Sequence, residues 1–314
     1  MSPCAGEQRR KHRFVGVLRS TTLVLSLCLA SLAGATNYYT VDFPGATFTD
    51  VNGGPNPKGE VVGTYGDTAN KTHGFLLSND GHFTTIDFPG AVNTSINGWV
   101  NPQGDIVGQY TDSQQVTHGF LLRNGTFTTV DYPGATSTNL GGINAAGEIV
   151  GSYCKGTQCT VFTLDHGTFT DVTIPNGIVK IGAMVTEDGT LVTGCLIDAK
   201  NHVCLIAHGQ TTVLDYPGAI ATGPGAATSD NQVVGAWADA QMRAHGFLYA
   251  HGEFTSLDVP GATYTYAGGI NPAGEIVGQF VDVNGREHGF ILQPDRRHRD
   301  HHDNRRNDSG SDAL

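Results

Sequence analysis

From Tyr38 to Leu292 the apolar residues come in short runs, such as Val61-Val62, Phe75-Leu76-Leu77 and Ile106-Val107, broken by Gly, Pro, Asn and Asp. Polar positions alternate with them, and no stretch repeats at the 3.6-residue period of a helix. The pattern predicts extended strands joined by tight turns. One stretch shows the grammar: strands are expected at 93–101, 105–110, 118–122 and 126–132. Asn101-Pro102-Gln103-Gly104 joins the first two, because Pro suits the first corner of a turn and Gly tolerates positive φ. Asn124-Gly125 joins the last two as a two-residue hairpin. Tyr132-Pro133-Gly134-Ala135 is expected to form a type II turn into the next unit.

This grammar repeats. Pro44, Pro89, Pro133, Pro175, Pro217 and Pro260 are spaced by 45, 44, 42, 42 and 43 residues. GEVVG-like strings end at Gly63, Gly108, Gly151, Gly194, Gly235 and Gly278, and His-Gly-Phe occurs at His73, His118, His245 and His288. Thr160-Val161-Phe162 and His202-Val203-Cys204 are altered copies. Four strands in each of six units predict an all-β protein, a six-bladed β-propeller of four-stranded antiparallel blades. The alternative is an open solenoid. Residues 39–43 read as a fourth strand and 288–292 as a third, so the two ends together complete one blade and close the ring.

Hairpin register adds an internal check. Counting outward from Asn124-Gly125 sets His118 opposite Asp131, and the same count pairs His202 with Asp215, His245 with Asp258 and His73 with Asp87. The third unit has Thr160 and Thr173 at these places, and His288 can face only Asp42. A His and Asp couple can do catalysis, but an enzyme needs one such couple. Repetition in nearly every unit identifies cross-strand staples, each worth about 0.2–1 kcal/mol.

The units resemble HAF repeats, named for His-Ala-Phe, of probable extracellular bacterial repeat proteins. Gly142-Ile143-Asn144-Ala145-Ala146-Gly147-Glu148-Ile149-Val150-Gly151 and the run from Gly269 to Gly278 carry the likeness, which covers nearly all of 38–292. Gly replaces Ala after the His, and the third unit lacks the His. The resemblance implies export and a β-repeat fold and brings no activity with it.

Strand direction puts the Asn-Pro-x-Gly and Asn-Gly turns on one face of the ring. The Pro-Gly-Ala turns and the longer second-to-third-strand loops take the other face, where ligand contacts are expected. Each loop starts with a large apolar residue, followed in five units by an acid two positions on: Tyr65 and Asp67, Tyr110 and Asp112, Leu196 and Asp198, Trp237 and Asp239, Phe280 and Asp282. The third unit has Tyr153 and Lys155. These residues could stack on sugars and bind cations or hydroxyls; the competing reading is packing between blades with Asx-type caps. Cys154 with Cys159, and Cys195 with Cys204, flank hairpins expected near 156–157 and 199–200, and are expected to form two disulfides rather than a zinc site.

Charge and composition narrow the partners. The formal net charge is −11, and charged residues make up 15% of the chain, so a nucleic-acid partner is excluded for want of clustered Lys and Arg. Arg9, Arg10, Lys11, Arg13 and Arg19, the apolar run 22–32 and Ala33-Gly34-Ala35 predict a secretory signal peptide over 1–35, with no membrane span once it is removed. The remaining chain carries 13 basic and 28 acidic residues. Residues 36–292 are expected to form the propeller and 293–314 a disordered polar tail, in which His298, His301 and His302 read as solvated side chains in preference to a loose metal site.

Neither a Gly-x-Ser-x-Gly elbow, an HExxH helix nor a Walker loop occurs, and no catalytic residue or cofactor is assigned. Two functional classes are carried forward. One is a secreted or periplasmic monomer that binds or scaffolds a polymer, glycan or protein at its loop face. The other is an extracellular hydrolase or lyase with a site in the central channel.

Overall fold

The computed structural model describes residues 37–174 and 177–294. The leader expected at 1–35 and nearly all of the tail expected at 293–314 lie outside them. The described residues form 24 strands in six four-stranded antiparallel sheets, with no helix. We number the blades 1 to 6, over residues 48–86, 93–130, 137–171, 178–214, 221–257 and 264–293. Blade 6 takes its fourth strand, Asn37–Val41, from the other end of the chain. Asn37 pairs with Gln293 and Val41 with Gly289, so the ring is closed as the sequence predicts. From blade 3 round through blade 6 to blade 1 the first strands touch one another about the axis, and the fourth strands form the circumference.

Three local rules explain the blade. The first joins the recurring Gly of the second strand to the Phe of His-Gly-Phe directly across the hairpin, as in Gly63 opposite Phe75 and Gly108 opposite Phe120. Phe75, Phe120, Phe162, Phe247 and Phe290 are fully buried. A Cβ on Gly63 would lie 1.9 Å from the Asp50 carbonyl oxygen and 2.8 Å from the Phe75 ring, so only Gly lets the ring lie down. The second rule fixes the turn between blades. In Phe43-Pro44-Gly45-Ala46 the Ala46 N–H donates to the Phe43 carbonyl at 3.1 Å, and Gly45 has φ +82, which a type II turn requires. A buried Thr five residues after the Pro then accepts the N–H of the residue before it: Thr49 from Phe43, Thr94 from Phe88, Thr138 from Tyr132 and Thr222 from Tyr216, each at 3.0 Å.

The third rule was not visible as a link between blades. Asn56, Asn101 and Asn144 begin the tight turns between first and second strands, and each Oδ1 accepts N–H groups of its own turn. Each Nδ2 also reaches the backbone carbonyl at the same position of the next blade: Asn101 at 3.4 Å, Asn144 at 3.3 Å and Thr186 at 3.2 Å. These buried amides form a belt across blades 1 to 4.

Blade 4 departs from the first rule. The expected alignment put Gly194 in the Gly column, but the register sets Thr193 opposite Cys204 and Cys195 opposite His202. Thr193 therefore stands in the Gly column, Cys204 in the Phe column and Cys195, rather than Leu196, in the Tyr65 column. A smaller partner across the hairpin leaves room for the Thr side chain. Cys195 and Cys204 are bonded and fully buried, so a disulfide fills the space that rings fill elsewhere. The pair is diagonal, because the hairpin turns at Asp198-Ala199, one residue earlier than expected. Cys154 and Cys159, also bonded, face each other directly.

Candidate functional site

On the loop face a single assembly of His, two acids and stacked rings recurs. In blade 1 the Nδ1 of His73 lies 2.9 Å from Asp87 and its Nε2 lies 3.4 Å from Asp67. Blade 2 repeats this with His118 between Asp131 at 2.8 Å and Asp112 at 3.5 Å, and blade 5 with His245 between Asp258 at 3.0 Å and Asp239 at 3.4 Å. In blade 6 His288 lies 2.8 Å from Asp42 and 3.8 Å from Asp282. His202 of blade 4 keeps Asp215 at 2.9 Å, but its Nε2 meets the Ile197 carbonyl oxygen.

Asp67, Asp112, Asp239 and Asp282 each cap a five-residue loop. Asp67 Oδ1 accepts the N–H groups of Ala69 and Lys71 at 2.8 Å, and the other three repeat the pattern. The backbone N–H four residues on holds each carboxyl below the usual aspartate range. For His118, burial pulls the pKa down, but the bonds and charges of Asp131 and Asp112 more than offset it and the net shift is upward.

Of the two readings of the loop-start rings, sugar stacking and packing within the fold, the geometry fits packing. Tyr65 lies between Phe43, at 3.6 Å between ring centroids, and His73 at 5.0 Å; Tyr110 lies likewise between Phe88 and His118. Trp237 lies between Tyr216 at 4.2 Å and His245 at 4.5 Å, and its indole N–H is buried without an acceptor. Phe280 stacks on His288. Since Phe43, Phe88 and Tyr216 come from the turn leading into each blade, these stacks glue turn to blade. In blade 3, where the His is missing, Lys155 Nζ sits 5.2 Å above Tyr132 and 5.3 Å above Tyr153.

The loop face is uneven. The Asp-capped loops belong to blades 5, 6, 1 and 2, whereas blades 3 and 4 have shorter hairpins. Four large apolar residues are exposed on this face: Ile178 at 59%, Ile220 at 44%, Met242 at 79% and Val283 at 75%. All belong to blades 4, 5 and 6, at loop tips or just after the turn into a blade.

Sequence reasoning passed over two other features. Asp50, on the first strand of blade 1, meets Glu287 of blade 6, where blades 1 and 2 have the hydroxyl pair Thr72 and Ser95. Burial first, and then Glu287, push the Asp50 carboxyl up to about 7. The second feature is an axial cavity of about 340 Å³ on the tight-turn face, to which all six blades contribute. Its signal was the unmatched Trp99. Among the described residues no group of three or more His, Cys, Asp or Glu is placed to hold a metal, and no helix is long and apolar enough to cross a membrane.

Comparison with known proteins supports the architecture. The TolB protein of Agrobacterium tumefaciens is similar at a TM-score of 0.55 and 14% identity, covering 78% of this chain and 90% of its own. A triple mutant of AofleA from Arthrobotrys oligospora gives 0.51 at 11% identity, covering 82% and 86%. TolB of Acinetobacter baumannii gives 0.50 at 11%, covering 74% and 63%. The chain is a β-propeller. No family model and no curated protein matches it.

Proposed function

We propose that the protein is an exported, non-enzymatic propeller of the HAF-repeat kind that binds or scaffolds an extracellular or envelope partner through its loop face. The observation that carries this reading is that four of the five exposed large apolar residues among the described ones, Ile178, Ile220, Met242 and Val283, fall at or next to the loop face of blades 4 to 6, the fifth being Val213 on a fourth strand; a patch formed there would mark an interaction surface. The His and Asp couples are engaged in repeated, self-satisfied assemblies, which suits a frame that presents loops rather than a reaction centre. Two disulfides suit an oxidising compartment, in keeping with the leader over 1–35.

The test compares the wild type with the Met242→Ser/Val283→Ser variant for binding to glycan arrays and to purified envelope polymers and proteins. Saturable binding by the wild type, weakened at least tenfold in the variant at unchanged circular dichroism, supports the proposal. Equal binding by both proteins, or turnover of a bound polymer, defeats it.

The alternative, a hydrolase or lyase, draws on Asp50 and Glu287, because a proton held between two carboxylates near neutral pH suits general acid catalysis. Both residues lie in the seam between blades 6 and 1 and neither lines the axial cavity, so binding is the better-supported function.

A further inference from the structure

Two residues before each tight turn, the six blades place Gly54, Trp99, Gly142, Met184, Ala226 and Gly269 around the axis. Four are small and two are large. A Cβ on Gly269 would lie 3.0 Å from Cζ3 of Trp99 and 2.7 Å from the Gly54 carbonyl oxygen. The indole of blade 2 thus passes the inner end of blade 1 and reaches blade 6, and the glycines opposite are what admit it. Trp99 and Met184 occupy space that the other four blades leave open, and both line the cavity.

The chemistry of the walls restricts the occupant. Apolar side chains dominate, with Val100, Pro102, Ile143 and Pro272 beside Trp99 and Met184. Most polar side chains at the rim are already engaged, and Glu187 accepts the Ala145 N–H at 2.8 Å. Asn56 is held by its own turn, by Glu60 and by the Asn101 carbonyl oxygen; Thr186 donates to Asp188 and Thr228 to Asp230. Two donors remain: the exposed Ser229 hydroxyl and the Trp99 indole N–H, which meets no acceptor among the described residues and is not buried. A sugar would leave most of its hydroxyls without partners in such a site, at a cost of about 1–3 kcal/mol for each one buried. A planar apolar ring loses nothing on leaving water. A dry cavity of about 150 Å³ holds benzene, so the volume here suits one substituted ring or two fused rings.

We infer that the axial cavity on the tight-turn face binds an uncharged aromatic compound carrying a hydrogen-bond acceptor, seated against Trp99 and Met184. The site is on the opposite face from the loop-rim partner and does not rest on that proposal.

Isothermal titration with acetophenone, an uncharged ring with one carbonyl acceptor, tests it, with methyl α-glucopyranoside as the polyol control. Wild-type protein is expected to show saturable 1:1 heat with the ketone and none with the glucoside. Trp99→Leu should weaken binding at least tenfold. Ala145 is exposed at the rim, so Ala145→Phe should narrow the mouth with the core intact and also weaken binding at least tenfold. The inference is overturned if the wild type gives no saturable heat with the ketone, if the glucoside binds as well, or if Ala145→Phe binds like the wild type.

Discussion

The Nδ1 of His288 and the Oδ1 of Asp42 lie 2.8 Å apart, although 246 positions of chain separate them. This contact reports ring closure, because Asp42 follows the strand that the N-terminal side lends to blade 6. His288→Ala should lower stability by about 0.2–1 kcal/mol in urea titration, the usual worth of a cross-strand pair. Deleting residues 37–43 should do far more: it bares the edge of Glu287–Gln293 and should cause association visible by light scattering. A deletion protein that stays monomeric with an unchanged melting point would show that closure contributes little.

The Gly and Phe couple makes a second prediction. Gly63→Ala puts a methyl 2.8 Å from the Phe75 ring and against the Asp50 carbonyl, and should destabilise by about 1–3 kcal/mol. Phe75→Leu frees space at the same spot, so the double variant should cost less than the two single changes together. Strict additivity in a denaturation cycle would contradict the packing described.

Stability should depend on pH in opposite directions at the two ends of the acidic range. The folded state raises the Asp50 carboxyl to about 7 and so holds its proton more tightly than the unfolded chain does. Stability from this group therefore falls as pH rises from near 4 to about 7. His118 acts in the same sense: its contribution is present below its unfolded pKa of about 6.5 and is lost as pH rises past it. Asp67, Asp112, Asp239 and Asp282 are shifted down, so what they contribute is present above about pH 4 and is lost below it. Asp50→Asn should flatten the upper slope and leave the lower one. A melting-temperature profile unaltered between pH 5 and 7 in that variant would refute the assignment.

The two disulfides should differ in worth. Cys195 and Cys204 are nine residues apart and fully buried, whereas Cys154 and Cys159 are five apart with Cys154 partly exposed. Removing the blade 4 pair should cost roughly 2–4 kcal/mol and removing the blade 3 pair less, as read by guanidinium unfolding. The reverse order would mean that Cys204 is not standing in for a core ring.

Much of this was legible in the chain because hairpin register is local. Asn124-Gly125 alone suffices to set His118 against Asp131, and the same count works in four other blades. What depends on a neighbouring blade was not legible. Tyr65 and Trp237 read as rings that either pack or stack on a sugar, and only the preceding turn, which lays Phe43 and Tyr216 on them, names the packing partner. Asn56 and Asn101 read as turn formers, and only the approach of adjacent blades gives their amides a second carbonyl. In blade 4, Gly194 beside Thr193 drew the alignment one residue off, and the compensation by Cys204 is visible only in the pairing. Trp99 and the cavity it lines went unread in the chain, because the reach of its indole across the axis needs the ring itself.

Blade 4 has exchanged aromatic plates for a covalent cross-link, which ties its integrity to where in the cell the chain finds itself. In a reducing cytosol that blade would hold two small thiols where its neighbours hold rings, and the wheel would have one soft spoke. Where the surroundings oxidise sulfur, the cross-link hardens that spoke, so the molecule's full rigidity is set by the redox state around it.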